Sequence, residues 1–361
     1  MNNSATADNT PTAFEVQRRL RGEIPGSWQL RLEERGSGRR PDAVFDLEAP
    51  DGRRTTILVE VKRRLDPVSV PRVLEQLRSW ASWNAPDRPT PAYLVAAPYL
   101  SERTRERLRA AGLNYLDLTG NTLVSIEDPG LYVHTQGADK DPNPASRPTR
   151  SLRGVKAAQV VRALVDSRPP VGVRQLAKIA RTDPGNVSRL LDLLEREDLA
   201  RRSPGGGVQE VLWDELLRAW TNAYSLTGSN RVYTYLDPRG LDNFAARLRD
   251  LPPETDYALT GSLAAARLAP VAPARMGVAF VRDAVSVAAM LELVPTETGA
   301  NVLLVEPEGD FVFERAVEED GLTYVAPSQA VVDLLTGPGR NPSEAEAVLD
   351  WMRQNEDVWR T

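Results

Sequence analysis

The run Thr55–Lys62, TTILVEVK, sets the tightest limit on how this chain folds. Alternate residues of a strand share a face. Ile57, Val59 and Val61 then point one way, and Leu58, Glu60 and Lys62 the other. A carboxylate and an ammonium two apart inside an apolar strand are costly unless paired or functional. The run therefore constrains fold and chemistry together. Around it, Thr12–Arg21 reads as a helix, and Gln29–Glu33 and Asp42–Glu48 read as strands. Val70, Val73, Leu74, Leu77 and Trp80 have the spacing of an amphipathic helix. Ala92–Ala97 and Asn114–Leu118 read as strands, and Ser101–Ala111 as a helix with Ser101 as N-cap. Strands interleaved with helices predict a mixed α/β sheet.

The 361 residues suggest two or three domains at roughly 150 residues each. A 41% hydrophobic and 26% charged chain is ordinary globular composition, which excludes a largely disordered one. No run of about 18 apolar residues is present, and MNNSATADNTP lacks the basic and apolar regions of a secretory signal. A cytoplasmic protein without a membrane partner is expected, with residues 1–11 as a frayed tail. The absence of cysteine excludes disulfides, cysteine zinc sites and thiol nucleophiles. A single histidine, His134, argues against a Ser-His-Asp triad and a multi-histidine metal site. A bound metal would then be a hard ion on oxygen ligands. Arginine dominates the cations, 41 against four lysines, as in GC-rich bacterial coding. Lys62, Lys140, Lys156 and Lys178 are the exceptions.

Residues 136–150, QGADKDPNPASRPTR, read as a linker, and a softer boundary falls near 205–214, after GGG. Residues 1–140 carry net +1, 141–210 net +5 and 211–361 net −11. The acidic total of −5 thus hides a basic middle, the electrostatic footprint of a nucleic-acid contact. The acidic C-terminal piece, 213–361, points instead to a protein partner or a dimer interface.

Asp42, in PDAVFDLE, lies on the strand before Glu60, and APDGRR turns one strand back onto the other. Two carboxylates converging across adjacent strands can hold a divalent metal, and Lys62 beside them can position water against a phosphodiester. Asp46 is the alternative, but it lies about 13 Å along the same strand face, so one of the two meets Glu60. This pattern resembles the PD-(D/E)xK nuclease superfamily over residues 12–135, with Pro41-Asp42 as PD and Glu60-Val61-Lys62 as the second element. The resemblance implies Mg2+ or Mn2+ on Asp42 and Glu60, catalysis by Asp42, Glu60 and Lys62, and accessory roles for Glu15 and Gln76. The competing reading is a surface salt bridge between Glu60 and Lys62. Asp117, in NYLDLTGN, reads as a turn or cap with Gly120 and Asn121.

Val155–Asp166 and Val173–Ala180 read as helices. After ARTDPGN, Val187, Leu190, Leu191 and Leu194 form the apolar stripe of a third, with Asp183 as N-cap and Pro184 at the first helical position. Leu199–Arg202 and Val208–Leu212 flank a Gly-rich tip. Residues 151–212 resemble the winged helix-turn-helix of bacterial transcriptional regulators. That implies double-stranded DNA as partner, with Asn186, Ser188 and Arg189 toward base edges and Arg201 and Arg202 on phosphates.

Trp213–Tyr224, Leu241–Leu248, Gln329–Leu335 and Glu344–Gln354 read as helices. Val232–Leu236, Tyr257–Thr260, Val278–Phe280, Val302–Val305, Val312–Phe313 and Tyr324–Val325 read as strands. YALTGSLAAARL is similar to the first motif of nucleotidyltransferases, but the next strand, MGVAFVRD, lacks the acidic pair that would hold magnesium, which argues against transferase activity. YLDLTGN, the winged helix and the TGSLAA-containing tail together resemble the AbiEi-type antitoxins of type IV toxin–antitoxin systems. That family implies a repressor of its own operon with a toxin partner; the nuclease-like domain is a departure from it. The expected architecture is α/β multi-domain: a PD-(D/E)xK-like sheet domain, a winged helix and an α+β C-terminal domain. Three readings follow: a DNA-binding regulator or antitoxin-like repressor, a magnesium-dependent endonuclease targeted by the winged helix, and an interaction scaffold.

Overall fold

The computed structural model describes residues 10–33, 41–81, 90–143 and 151–361. The chain is mixed α/β and forms two compact units. One holds residues 1–149 with Arg196–Asp198; the other holds Arg150–Glu195 and Leu199–Thr361.

The first unit runs α1 (Ala13–Glu23), β1 (Gln29–Leu32), β2 (Ala43–Glu48), β3 (Arg54–Val61), α2 (Val70–Ala81) and β4 (Ala92–Ala97). α3 (Glu102–Ala110), β5 (Asn114–Asp117), β6 (Thr122–Ile126) and β7 (Leu131–Thr135) follow. Its seven strands lie side by side in chain order. β3–β4 and β4–β5 are parallel and the other pairs antiparallel. Strand alternation sorts the core into two layers. Phe45, Leu47, Ile57 and Val59 pack with Val16 and Leu20 of α1. Val44 and Leu58 pack with Val73 and Leu77 of α2 and Leu108 of α3. The Thr12 hydroxyl accepts from the Glu15 N–H, and the Glu15 carboxylate accepts from the Thr12 N–H, so a capping box begins α1. Ser101 caps α3, accepting from the Thr104 N–H.

The second unit begins with α4 (Val155–Asp166), α5 (Val173–Ile179), α6 (Pro184–Arg196), the hairpin β8 (Ala200–Arg202) and β9 (Val208–Val211), and α7 (Trp213–Trp220). Then come β10 (Arg231–Leu236), α8 (Leu241–Arg249), β11 (Tyr257–Thr260), α9 (Gly261–Leu268), β12 (Gly277–Val281), α10 (Ala284–Met290), β13 (Val294–Pro295) and β14 (Val302–Glu306). β15 (Val317–Glu319), β16 (Leu322–Tyr324), α11 (Pro327–Leu335), α12 (Asn341–Gln354) and α13 (Glu356–Trp359) complete it. Its larger sheet has the order β13-β10-β14-β12-β11-β16-β15. One hydrophobic core takes in Leu164 of α4, Leu191 and Leu194 of α6, Trp220 of α7, Val331 of α11 and Met352 of α12. It bridges the boundary expected near 205–214.

Two differences from the sequence expectations have simple causes. Val312–Phe313 is not a strand but the end of a 3-10 turn, Asp310–Phe313. Phe311 is buried there among aromatic neighbours, 5.9 Å from the rings of Trp220 and Tyr224. A short apolar run does not distinguish a buried turn from a strand. The β6–β7 hairpin also went unread, because the polar turn after Asp117 looks like the end of a sheet.

Candidate functional site

β2 and β3 pair with Ala43 opposite Val59, which carries Asp42 to the position beside Glu60 at the open end of the hairpin. The Val61 N–H donates to Asp42 Oδ2 at 2.7 Å. Glu60 is buried on the face covered by α2. Its Oε1 accepts from Lys62 Nζ and, at 3.1 Å, from Gln76 Nε2 of α2. Its Oε2 is buried with no hydrogen-bond partner among the described residues. Burial pushes the Glu60 carboxyl above its ordinary range, the Lys62 hydrogen bond opposes this, and the Asp42 charge adds to it. Asp42, Glu60, Lys62 and Gln76 therefore form one cluster at the end of β3.

Glu15 does not join them. Its carboxylate is held by the Thr12 N–H and hydroxyl at 2.8 and 2.9 Å, and α1 covers the opposite face of β3. Asp46 pairs across from Thr56, away from Glu60. His134 is exposed on β7 near Tyr132. Among the described residues no group of three or more His, Cys, Asp or Glu is placed to hold a metal. The unpartnered Glu60 oxygen nevertheless suits a hard cation. Asp42 and Glu60 would hold Mg2+ or Mn2+, with the remaining positions taken by water or phosphate oxygen.

Asp117 is a structural centre. Its carboxylate accepts from the N–H groups of Leu100, Thr119, Gly120 and Asn121 and from the side chains of Thr119 and Asn121. Gly137 is tied to the same turn, donating to Asn121 Oδ1 at 2.9 Å. The segment expected as linker is thus anchored at its start, and residues 144–150 lie outside the described ones.

In the second unit, Asp183 Oδ1 accepts from the Asn186 N–H at 2.9 Å and starts α6, whose first helical residue is Pro184. Val187, Leu190, Leu191 and Leu194 are buried. Arg189 is exposed on the opposite face and Asn186 and Ser188 are half-buried beside the stripe, with the Asn186 side chain bonded to Thr182, Asp183 and Arg189. A bridge between Val171 and Val208 adds a third extended segment to the β8–β9 hairpin. Arg201 and Arg202, expected to act alike, differ. Arg201 is exposed and paired with exposed Glu210. Arg202 is 22% exposed and joined to Asp192 and Glu195 of α6, so it fastens the hairpin to that helix.

The sequence reading also missed a buried polar network. Arg162 donates to Phe311 O, Glu314 O, Gln329 Oε1 and Asp166 Oδ2. Asp333 accepts from Thr260, Tyr224 and Gln329. The signal available was a lone charge in each of two apolar helical runs, VVRALV and AVVDLL.

No family model, curated protein or solved structure matches the chain. Among the described residues no helix is long and apolar enough to cross a membrane.

Proposed function

We propose that the chain is a DNA-binding regulator, an antitoxin-like repressor that grips duplex DNA through residues 151–212 as a winged helix. The observation that carries this is α6: its apolar stripe is buried while Arg189 is exposed and Asn186 and Ser188 lie half-buried on either flank of the stripe near its N-terminus. Such residues reach base edges when a recognition helix enters the major groove. The hairpin, pinned to α6 through Arg202, supports a wing of fixed position. Arg201 is its phosphate contact, since a surface pair such as Arg201–Glu210 costs little to exchange for phosphate. The acidic stretch 213–361 is the proposed surface for a second copy or a toxin.

The test is a gel shift against the DNA upstream of the protein's own gene across a salt series. Arg201→Ala should weaken binding to all sequences and flatten the salt slope by about 1 unit. Asn186→Ala should lose roughly 1–3 kcal/mol of discrimination between sites. Unchanged affinity and slope in both variants would remove this surface from DNA contact.

A second reading, a Mg-dependent endonuclease, rests on the orphaned Glu60 oxygen beside Asp42 and Lys62. The run α1-β1-β2-β3-α2-β4 supports a PD-(D/E)xK-like core. When bound, the metal would supply a Lewis acid for phosphodiester hydrolysis; Asp42 and Glu60 would orient it and Lys62 would stabilise charge on the phosphate. Plasmid nicking with magnesium or manganese, abolished by Lys62→Ala, would favour this reading over the first.

A further inference from the structure

A cavity of about 360 Å3 opens within the second unit, between α4 and α5 on one side and the 3-10 turn with residues 314–315 on the other. We propose that it binds a small monocarboxylate with an apolar body. The volume lies in the range of small-ligand sites, about 300–1,000 Å3.

The lining divides by chemistry. Ala163, Ala180, Ile179 and Phe311 supply apolar wall. Ile179 is 42% exposed, an apolar side chain left in water at the rim. Gln159, Ser167 and Thr361 add polar groups, and three arginines also line the cavity, each with spare donor capacity or a weak partner. Arg315 forms no ion pair among the described residues; it donates to Asp166 O, Thr361 Oγ1 and Trp359 O at 2.6, 2.8 and 2.9 Å, all neutral acceptors. Arg162 is 2% exposed, and its Nε has no partner among the described residues. Arg181 meets Glu314 at 3.2 Å in a pair whose side chains are 70% and 36% exposed. Such a pair contributes little and exchanges readily.

Of the two side-chain carboxylates on the lining, Asp166 is committed to Arg162 and Ser328, and Glu314 is held, among the described residues, by the exposed pair. A ligand carboxylate can therefore take the place of Glu314 on Arg181 and neutralise Arg315, in the charge-assisted geometry that guanidinium favours. A second negative charge would face Asp166 and Glu314. Polar groups placed against Ala163, Ile179 and Phe311 would be left unpaired. Both arguments select a monoanion with an apolar remainder.

Ile179, Ala180 and Arg181 end α5 and begin the turn into α6. A ligand there acts on the turn that aims α6, so occupancy alters DNA affinity; this consequence rests on the function proposed above.

The experiment titrates the full chain calorimetrically with hexanoate, phenylacetate and indoleacetate, using phenylacetamide as the neutral comparator. At least one acid should bind saturably and about tenfold or more tightly than the amide. Ile179→Asp, which places a like charge at an exposed position on the rim, should abolish binding. Arg181→Gln should weaken it several-fold while leaving the thermal melt unchanged, and it decides the matter if Ile179→Asp proves unstable. No saturable acid, equal binding of acid and amide, or indifference to Arg181→Gln would overturn the site. A gel shift with the tightest acid then separates the two claims. Saturable binding without a change in DNA affinity overturns the coupling and leaves the site standing.

Discussion

Asp333 shows what a single buried carboxylate does to a domain. It is fully buried and accepts from the Thr260 hydroxyl at 2.6 Å, the Tyr224 hydroxyl at 2.9 Å and the Gln329 amide at 2.9 Å. Burial outweighs these three donors and the Arg162 charge, raising its pKa to about 7. Burial, with the Asp333 charge beside it, pushes the Tyr224 phenol well above its usual value. A folded pKa above the unfolded one means the native state holds the proton more tightly. The Asp333 contribution is fully present below about pH 4 and lost as pH rises to about 7, a difference of roughly 4 kcal/mol. Urea unfolding across that window should show stability falling in wild type and a flatter profile in Asp333→Asn; identical slopes would refute the assignment. The sequence announced this residue only as an anomaly. Its partners Thr260 and Tyr224 lie 73 and 109 residues away, and no local pattern names them. Asp42, Glu60 and Lys62 were legible because strand parity and one tight turn bring them together. Glu15 was misplaced because being near a motif in sequence says nothing about which side of the sheet α1 covers.

Local elements were read well where they carry a strong period. α2, α6 and β3 follow their apolar spacing closely, since burial of one face decides both pattern and structure. Irregular segments take their order from side-chain hydrogen bonds rather than periodicity, so they are legible only in part. The Asp117 turn with Gly120 and Asn121 was legible, its tie to Gly137 was not, and Gly137 tests it. A Cβ there would stand 2.4 Å from Thr119 O and 2.7 Å from the Asn121 N–H nitrogen, both backbone atoms that cannot swing aside. Gly137→Ala should cost about 1–3 kcal/mol through forced backbone shifts. Gly22, an exposed position in α1 with nothing within 4 Å of a new Cβ, provides the contrast. Gly22→Ala should raise stability by about 0.5–1 kcal/mol, since alanine restricts the unfolded chain and favours helix. Thermal melts of the two variants should move in opposite directions, and a neutral Gly137→Ala would mean the turn can open without penalty.

On the scale of the molecule, charge segmentation suggested a boundary that the hydrophobic core ignores. Net charge is a property of surface composition, whereas Leu164, Leu194, Trp220, Val331 and Met352 share one interior. Residues 151–212 alone would expose the apolar faces that α7, α11 and α12 cover. That fragment should show no cooperative melt, while 151–361 should melt in a single transition; a stable 151–212 fragment would contradict a shared core. The two sheets also differ in timing. In the first unit each strand lies beside the one made just before it, so partners are present in the order of synthesis. In the second, β11 pairs with β16 and β12 with β14, and α4 waits for residues of α11 and α12 to close its core. Loop closure over such separations is slow. A ribosome making this chain would release an early unit able to fold as it emerges. α6 would follow, exposed and unfinished, until nearly the whole polypeptide was available. Chaperone demand during synthesis should therefore fall on the second unit.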